Sequence, residues 1–434
     1  MNISVYLLYP INEVSNMTYE KIANDIIELV SNDYSGCKEL PQDEAKNDYL
    51  ERVPSITSDK DFYYATMDFL KTYQDAHLTL IEPTIDIPRV NFLTRRFNDK
   101  LYISDLFSKN CLLSIGQEII KIDNKPISEV VKENERILNP IPERQSFTYL
   151  LEKSETITLS NGDILKTPKE SNIPPKESTY SFELINEQTG YMVLSDFYAE
   201  QPISALIQEN RQSLETIDSL IIDVRINNGG SDMSYFPLLD YLFKQTISLE
   251  ELSNPNELMY YNVTKRNDEL RQKAFQPYLD SEEIDDVSRQ FIQSELDFFK
   301  KHIEGNQTGF IPFTDSPILD YTIHGTNLPS SIIVLTDVYC GSSGDSFVNL
   351  VKKSDKVTTL GRNTLGILDY ANCCFQEYPL FSLMYPTSKT SLVDDGLGML
   401  GKGVKPDVYV PWTPKHLTED VDLQQALELL NNQC

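Results

Sequence analysis

Ser331-Ile332-Ile333-Val334-Leu335-Thr336-Asp337-Val338-Tyr339-Cys340-Gly341-Ser342-Ser343-Gly344-Asp345 is the stretch on which the reading of this sequence turns. Its near-continuous apolar start describes a strand, Ile332 to Thr336, buried on both faces, as in a parallel sheet. The run ends in small residues and then opens a helix, expected over Ser346 to Lys353, with a further strand at Val357 to Leu360. A serine at such a corner is exposed, and the amides of a helix N-terminus can steady negative charge beside it. Taken alone, the pattern is also that of an ordinary N-cap, which is far commoner than a nucleophile.

Two further stretches gain meaning from the first. Leu220-Ile221-Ile222-Asp223-Val224-Arg225-Ile226-Asn227-Asn228-Gly229-Gly230 is another apolar strand, running into consecutive glycines. Glycines let backbone N–H groups approach a substrate closely, as an oxyanion hole requires; alone, they read equally as a turn with positive φ. Tyr73-Gln74-Asp75-Ala76-His77-Leu78-Thr79-Leu80 places one of only four histidines at the end of a helical region. His302, His324 and His416 have no comparable setting, yet a lone histidine is usually structural, and His77 gains weight only from its company.

In this order the three stretches resemble the serine peptidase family that contains the C-terminal processing (tail-specific) peptidases, the tricorn protease core and the repeats of a retinoid-binding photoreceptor protein. The family pattern has Asp-Gly-His-Thr early, Asp-Leu-Arg-x-Asn-x-Gly-Gly in the middle and small-Ser-x-x-Glu later. Here these read Asp75-Ala76-His77-Leu78, Asp223-Val224-Arg225-Ile226-Asn227-Asn228-Gly229-Gly230 and Gly341-Ser342-Ser343-Gly344-Asp345. Downstream, Thr359-Leu360-Gly361-Arg362-Asn363-Thr364-Leu365-Gly366 looks like the family's Val-Gly-Glu-x-Thr-x-Gly strand. Gly403-Val404-Lys405-Pro406-Asp407, after Asp395-Gly396, resembles its closing Gly-x-x-Pro-Asp.

The resemblance implies a serine endopeptidase that hydrolyses peptide bonds through an acyl-enzyme on Ser342. His77 is then the base, and Gly229 or Gly230 forms the oxyanion hole with the amide of Ser343. It implies peptide or protein substrates and neither cofactor nor metal. The lysine base of the tail-specific branch corresponds to Ile367, so the Ser/Lys dyad is absent and the tricorn-like and retinoid-binding branch is nearer. There, the serine and glutamate that orient the histidine correspond to Ala76 and Leu400. Asp75, Asp369, Asp394 and Asp395 are the acids whose sequence positions qualify them as substitutes. The competing reading is a non-catalytic member of the family that binds peptides or small apolar ligands.

The fold expected is α/β: a crotonase- or Clp-protease-like core of stacked ββα units, with a helical N-terminal region and a partly PDZ-like or β-barrel segment. Helical spacing marks Thr18 to Val30 and Phe62 to Tyr73, within an N-terminal region 1–88 that carries His77. A β-rich segment, 89–177, follows. In it Ile115 to Ile127 reads as strand, turn and helix, similar to the carboxyl half of a PDZ module, and the proline-bearing stretch Leu165 to Ser178 reads as a linker. The core, 178–434, alternates strand Phe182 to Asn186, strand Tyr191 to Phe197, helix Ile203 to Leu214, strand Leu220 to Val224 and a helix through Leu242. An insertion at about 246–329 contains a helix, Glu283 to Ile303, with Ile284, Val287, Phe291, Leu296 and Phe299 on one side, placed to cap a groove.

The 434 residues, 40% hydrophobic and 24% charged, describe a folded chain long enough for two or three domains. A formal net charge of −28 opposes the attraction that drives binding to phosphate backbones, so nucleic acid is not an expected partner. Pro10, Asn12 and Glu13 interrupt the apolar run from Val5, so no signal peptide is visible, and no window offers the roughly 20 apolar residues of a membrane helix. The cytoplasm is the default compartment, and secretion the alternative if the natural chain begins earlier; Asn-x-Thr sites at Asn16, Asn262 and Asn306 do not decide it. Six cysteines without CxxC pairs read as free thiols, with Cys373 and Cys374 packed in a strand.

Overall fold

The strand that opens the sequence reading, Ser331–Thr336, lies in the middle of a six-stranded sheet in the computed structural model, which describes residues 18–40, 42–107, 112–174, 176–254, 256–281, 286–314 and 316–433. Asn16, Cys111, Ile284, Cys434 and the segment read for a leader lie outside the described residues, as does the side chain of Val287. The strand order is Tyr180–Asn186, Thr189–Leu194, Ser219–Asp223, Ser331–Thr336, Val357–Gly361 and Val408–Tyr409. The first pair is an antiparallel hairpin; every later pairing is parallel. All of Ser219–Asp223 and all but the first residue of Ser331–Thr336 are buried, which is why neither strand alternates in sequence.

Register decides where a site can form. Asp223 pairs with Leu335, so the two central strands end side by side and release residues 224–231 and 337–342 as neighbouring loops. This carboxyl edge is where open parallel sheets bind ligands. Helices supply the crossovers that parallel strands need: Glu200–Glu209 with Arg211–Leu214, Phe236–Leu242 and Ser343–Val351. The α/β core expected from sequence is therefore present, with shifted boundaries. The helix expected from Ser346 begins at Ser343, and the one expected over Ile203 to Leu214 is divided at Asn210.

The N-terminal helices Tyr19–Asn32 and Asp59–Lys71 are capped by Thr18, whose side chain accepts from Lys21 N, and Ser58, which accepts from Asp61 N at 3.1 Å. A helix between them, Asp43–Arg52, buries only Ala45 and Tyr49, too little apolar periodicity to show in sequence. All three pack into one apolar cluster with Phe381, Leu383 and Tyr385. Leu383 and Tyr385 belong to a second, antiparallel sheet in which Ser382–Thr390 pairs with Thr79–Ile81, Tyr370–Glu377 and Met259–Val263. Cys373 and Cys374 lie in its strand Tyr370–Glu377 and, with Cys37 and Cys340, are free thiols.

The insertion contains the expected long helix, at Asp286–Glu304, but it is not helical alone. Met259–Val263 and Gly309–Pro312 pair and extend the second sheet, and the polar helix Lys265–Leu279 carries no apolar rhythm. A buried pair, Arg271 Nη1 to Glu295 Oε2 at 3.1 Å, joins the two helices, while Arg271 Nη2 donates to the carbonyl of Asn372 at 2.8 Å. The β-rich segment has its own core, including Phe92, Ile103, Ile119 and Ile157. Its strand Glu118–Ile122, turn at Asp123-Asn124 with φ of 46° and 63°, and helix Ile127–Glu133 follow the sequence reading. The stretch read as a linker is strand in part: Ile164–Lys166 closes the segment, and Lys169–Glu170 pairs with Arg89–Val90. No helix of the described residues is long and apolar enough to cross a membrane.

Candidate active site

Ser342 caps the helix Ser343–Val351 with φ 57° and ψ −122°, a conformation a non-glycine residue adopts only under constraint, at a cost on the order of 1–3 kcal/mol. Its surroundings supply that constraint. The Ser342 amide donates to Asp345 Oδ2 at 2.9 Å, and the same carboxylate accepts from the amides of Gly366 (2.8 Å) and Ile367 (3.0 Å). Burial pushes the Asp345 carboxyl up, and the Thr364 hydroxyl and these amides oppose the shift. Just before the serine, Gly341 N donates to the Asn227 carbonyl at 2.9 Å, and Leu365 N to the Cys340 carbonyl at 2.6 Å.

Asn227 ties the glycine loop to this corner. It is fully buried; Nδ2 donates to the Leu194 carbonyl at 3.0 Å and Oδ1 accepts from Gly229 N at 3.0 Å. Gly229 has φ 91°, and a Cβ there would lie 2.6 Å from Ser342 Cβ and 2.8 Å from the Gly341 carbonyl oxygen. At Gly230, φ 142°, it would lie 2.2 Å from the Phe197 carbonyl oxygen. Both glycines are therefore demanded by close approach. Expected among the oxyanion donors, Gly229 has its N–H taken up by Asn227; the amides of Gly230 and Ser343 form no hydrogen bond among the described residues. Behind the corner, Ser343 Oγ donates to the Gly230 carbonyl at 2.9 Å and Ser346 Oγ to Asp232 Oδ2 at 2.7 Å. Burial raises the Asp232 carboxyl against the hydroxyls of Ser346, Ser343 and Tyr235.

His77 arrives from the other side, two residues before the strand Thr79–Ile81. Its backbone N donates to Asp75 Oδ1 at 2.9 Å, and Tyr34 OH donates to Asp75 Oδ2 at 2.9 Å. The ring atom Nδ1 lies 2.8 Å from the Tyr370 carbonyl oxygen. A carbonyl only accepts, so Nδ1 carries the proton and Nε2 keeps its lone pair, the tautomer a general base needs. The chain from Gly366 to Tyr370 thus runs from the carboxylate behind Ser342 to the ring of His77. No hydrogen bond joins His77 to Ser342 among the described residues. Of the four acids that qualified by sequence, Asp394 and Asp395 are exposed, and Asp394 accepts from Lys389 at 2.6 Å; Asp75 and Asp369 are buried on the His77 side.

Sequence reasoning missed what holds the strand ends. Asp337 accepts two hydrogen bonds from Arg95, at 3.0 and 2.9 Å, and one from Arg362 at 2.8 Å; Arg362 also bridges to Asp422 at 2.6 and 2.7 Å. Arg225 joins Asp223, Asp420 and Asp422 to the same network. Burial alone would raise the Asp337 carboxyl, but Arg95 and Arg362 hold it at about 2. From the β-rich segment, Arg144 donates to the carbonyls of Leu365 (2.6 Å) and Gly401 (2.9 Å), closing on the loop that follows Asn363.

A strained serine stands at the carboxyl edge of a parallel sheet in an α/β fold and faces a glycine loop. The model of peptidase family S41 matches residues 188–410, and the chain belongs to that family. It is a serine peptidase, a hydrolase of peptide or protein substrates. Mature CPAF, solved in complex with lactacystin, superimposes with a TM-score of 0.63 at 14% identity, covering 96% of this chain and 99% of that one. The photosystem II D1 C-terminal processing protease gives a TM-score of 0.44 at 13% identity over 94% of this chain and 96% of that one. The tricorn protease gives 0.45 at 15% identity over 96% of this chain and 36% of that one. At such identities the likeness to CPAF speaks for the fold alone. No curated protein sequence matches the chain.

Proposed function

We propose that Ser342 is the nucleophile and His77 the general base of this peptidase. The observation that carries the reading is the backbone of Ser342, held at positive φ by Asp345 and Asn227 where Gly229 leaves room beside its Cβ. Such strain is retained where the surroundings enforce it, and here they present a hydroxyl at the edge where two glycine-rich loops meet.

In the reaction, Ser342 Oγ attacks the carbonyl carbon of the scissile bond while His77 Nε2 takes its proton. The amides of Gly230 and Ser343 stabilise the oxyanion. Collapse of the tetrahedral intermediate breaks the C–N bond as Nε2 returns the proton to the leaving amine. A water, deprotonated by the same nitrogen, then releases the acyl group and regenerates the serine. The reading requires His77 Nε2 within hydrogen-bond reach of Ser342 Oγ once substrate is bound.

The test is cleavage of an unfolded protein substrate, followed by peptide mass mapping, for the wild type and Ser342→Ala, with lactacystin, found on mature CPAF, as a probe. Cleavage that disappears in Ser342→Ala supports the reading. Cleavage that survives the substitution overturns Ser342 as nucleophile. A folded wild type that cleaves nothing favours the competing reading of a peptide-binding family member.

A further inference from the structure

Arg271 lies outside the site described above, yet it reaches the strand that holds the ring of His77. Its side chain is 1% exposed, on the helix Lys265–Leu279 of the insertion. The guanidinium sits over the rings of Tyr261, Phe299 and Phe275, with centroids 4.6, 5.1 and 5.9 Å away. Nη1 donates to Glu295 Oε2 at 3.1 Å, while Arg271 Nε and Glu295 Oε1 are buried without hydrogen-bond partners among the described residues. A buried pair satisfied this incompletely is a poor source of stability, since apolar side chains of similar volume fill such a place as well. Its second terminal nitrogen gives the guanidinium another task.

Nη2 donates to the Asn372 carbonyl at 2.8 Å and to Thr387 Oγ1 at 2.6 Å, and that hydroxyl donates to the same carbonyl at 2.5 Å. Asn372 has φ 54° inside the strand Tyr370–Glu377, a left-handed backbone that asparagine tolerates better than most residues. The register passes over it: Ala371 lies opposite Ser388 and Cys373 opposite Pro386. Its side chain is tied down as well, Nδ2 donating to Ser388 Oγ at 2.8 Å. Two residues before this kink stands Tyr370, whose carbonyl oxygen lies 2.8 Å from His77 Nδ1.

We infer that Arg271, acting with Thr387, is a positioning residue for His77: by seating the kink at Asn372 it sets where the Tyr370 carbonyl stands, and so which ring nitrogen carries the proton. The inference rests on the role proposed for His77. With the carbonyl in place, Nδ1–H donates to it and Nε2 keeps the lone pair that Ser342 needs. With the carbonyl displaced, the other neutral tautomer becomes accessible, and its Nε2–H cannot take a proton. The insertion thus contributes to the base through a buried cation, without itself reaching the serine corner.

The test combines Arg271→Met with Glu295→Met in the full chain, which removes both charges and leaves an apolar pair against Tyr261 and Phe299. Nitrogen NMR of isotope-labelled histidines, with the His77 signals assigned through His77→Ala, reads the neutral ring directly. The wild type is expected to show the proton on Nδ1 alone, and the double variant a mixture of the two tautomers. Its kcat is expected to fall roughly 10- to 100-fold, with KM within about threefold because the change acts on the base rather than on peptide binding. A double variant that keeps the single tautomer and wild-type kcat overturns the assignment, and so does one that only melts at a lower temperature. If the double variant does not fold, Thr387→Val decides: it keeps the shape of the side chain and removes the hydroxyl shared by Arg271 and Asn372, and an unmoved tautomer and kcat overturn the assignment. A wild type that takes no fluorophosphonate at Ser342 sinks the proposed function instead; the tautomer is read without substrate, so the two failures are distinct.

Discussion

Ser342 and His77 are held in place by different means. Ser342 stands one loop beyond a strand in the middle of a parallel sheet, and its corner is fixed by hydrogen bonds to the Asn227 carbonyl and to the Asp345 carboxylate, which also accepts from Gly366 and Ile367. His77 comes from the N-terminal helical region, packs with the second sheet, and has its ring fixed by one backbone carbonyl 293 residues away in sequence. The Ser342 side is over-determined by several backbone contacts around one carboxylate, whereas the ring of His77 is held by a chain segment distant in sequence. Ser342 is thereby held rigid, and the orientation of the His77 ring is left to a long-range contact.

That contrast can be broken by substitution. The largest effect is expected for Ser342→Ala, a loss of kcat on the order of 10⁶-fold, with His77→Ala close behind because nucleophile and base act as a unit. Steady-state hydrolysis checks this, and a His77→Ala enzyme with near-normal kcat would separate the two sides altogether. Asp337→Asn comes next: it leaves Arg95 and Arg362 without their shared charge, and a stability loss of about 3–5 kcal/mol is expected in denaturant unfolding.

The same carboxylate gives a pH signature. Its folded value of about 2 lies below the ordinary one, so its contribution is complete above about pH 4 and is lost as pH falls toward 2. The wild type should lose about 2 kcal/mol from this group across that window, and Asp337→Asn should not. Gly229→Ala introduces a Cβ 2.6 Å from Ser342 Cβ at a φ of 91°. It should cost about 1–3 kcal/mol in strain and lower the labelling rate of Ser342 without abolishing it. The smallest effect is expected for Ser58→Ala, which removes the cap of the helix leading to His77: about 1 kcal/mol in thermal melting, with labelling unchanged.

The same contrast explains what the sequence made legible. The strand Ser331–Thr336, the glycines and the serine are contiguous, and burial on both faces leaves an unbroken apolar run, so this half could be read directly. The helix began earlier than expected because Ser342 itself takes the cap position. Asn227 and Asp345 stand inside the quoted motifs, yet their roles emerge only when the two loops lie side by side. The Tyr370 carbonyl has no sequence signature, since any residue offers one. The helices Asp43–Arg52 and Lys265–Leu279 stayed hidden because they bury few side chains and show no apolar stripe. The Arg95, Arg362, Asp337 and Asp422 network draws its members from distant segments, and charged residues in sequence read as surface.

The central claim, an activated Ser342 that depends on His77, is tested most directly by intact-mass measurement of fluorophosphonate labelling on the wild type, Ser342→Ala and His77→Ala. One label per chain is expected on the wild type, mapped to Ser342, and none on either folded variant. Labelling of His77→Ala at the wild-type rate, or a folded wild type that takes no label, would contradict it.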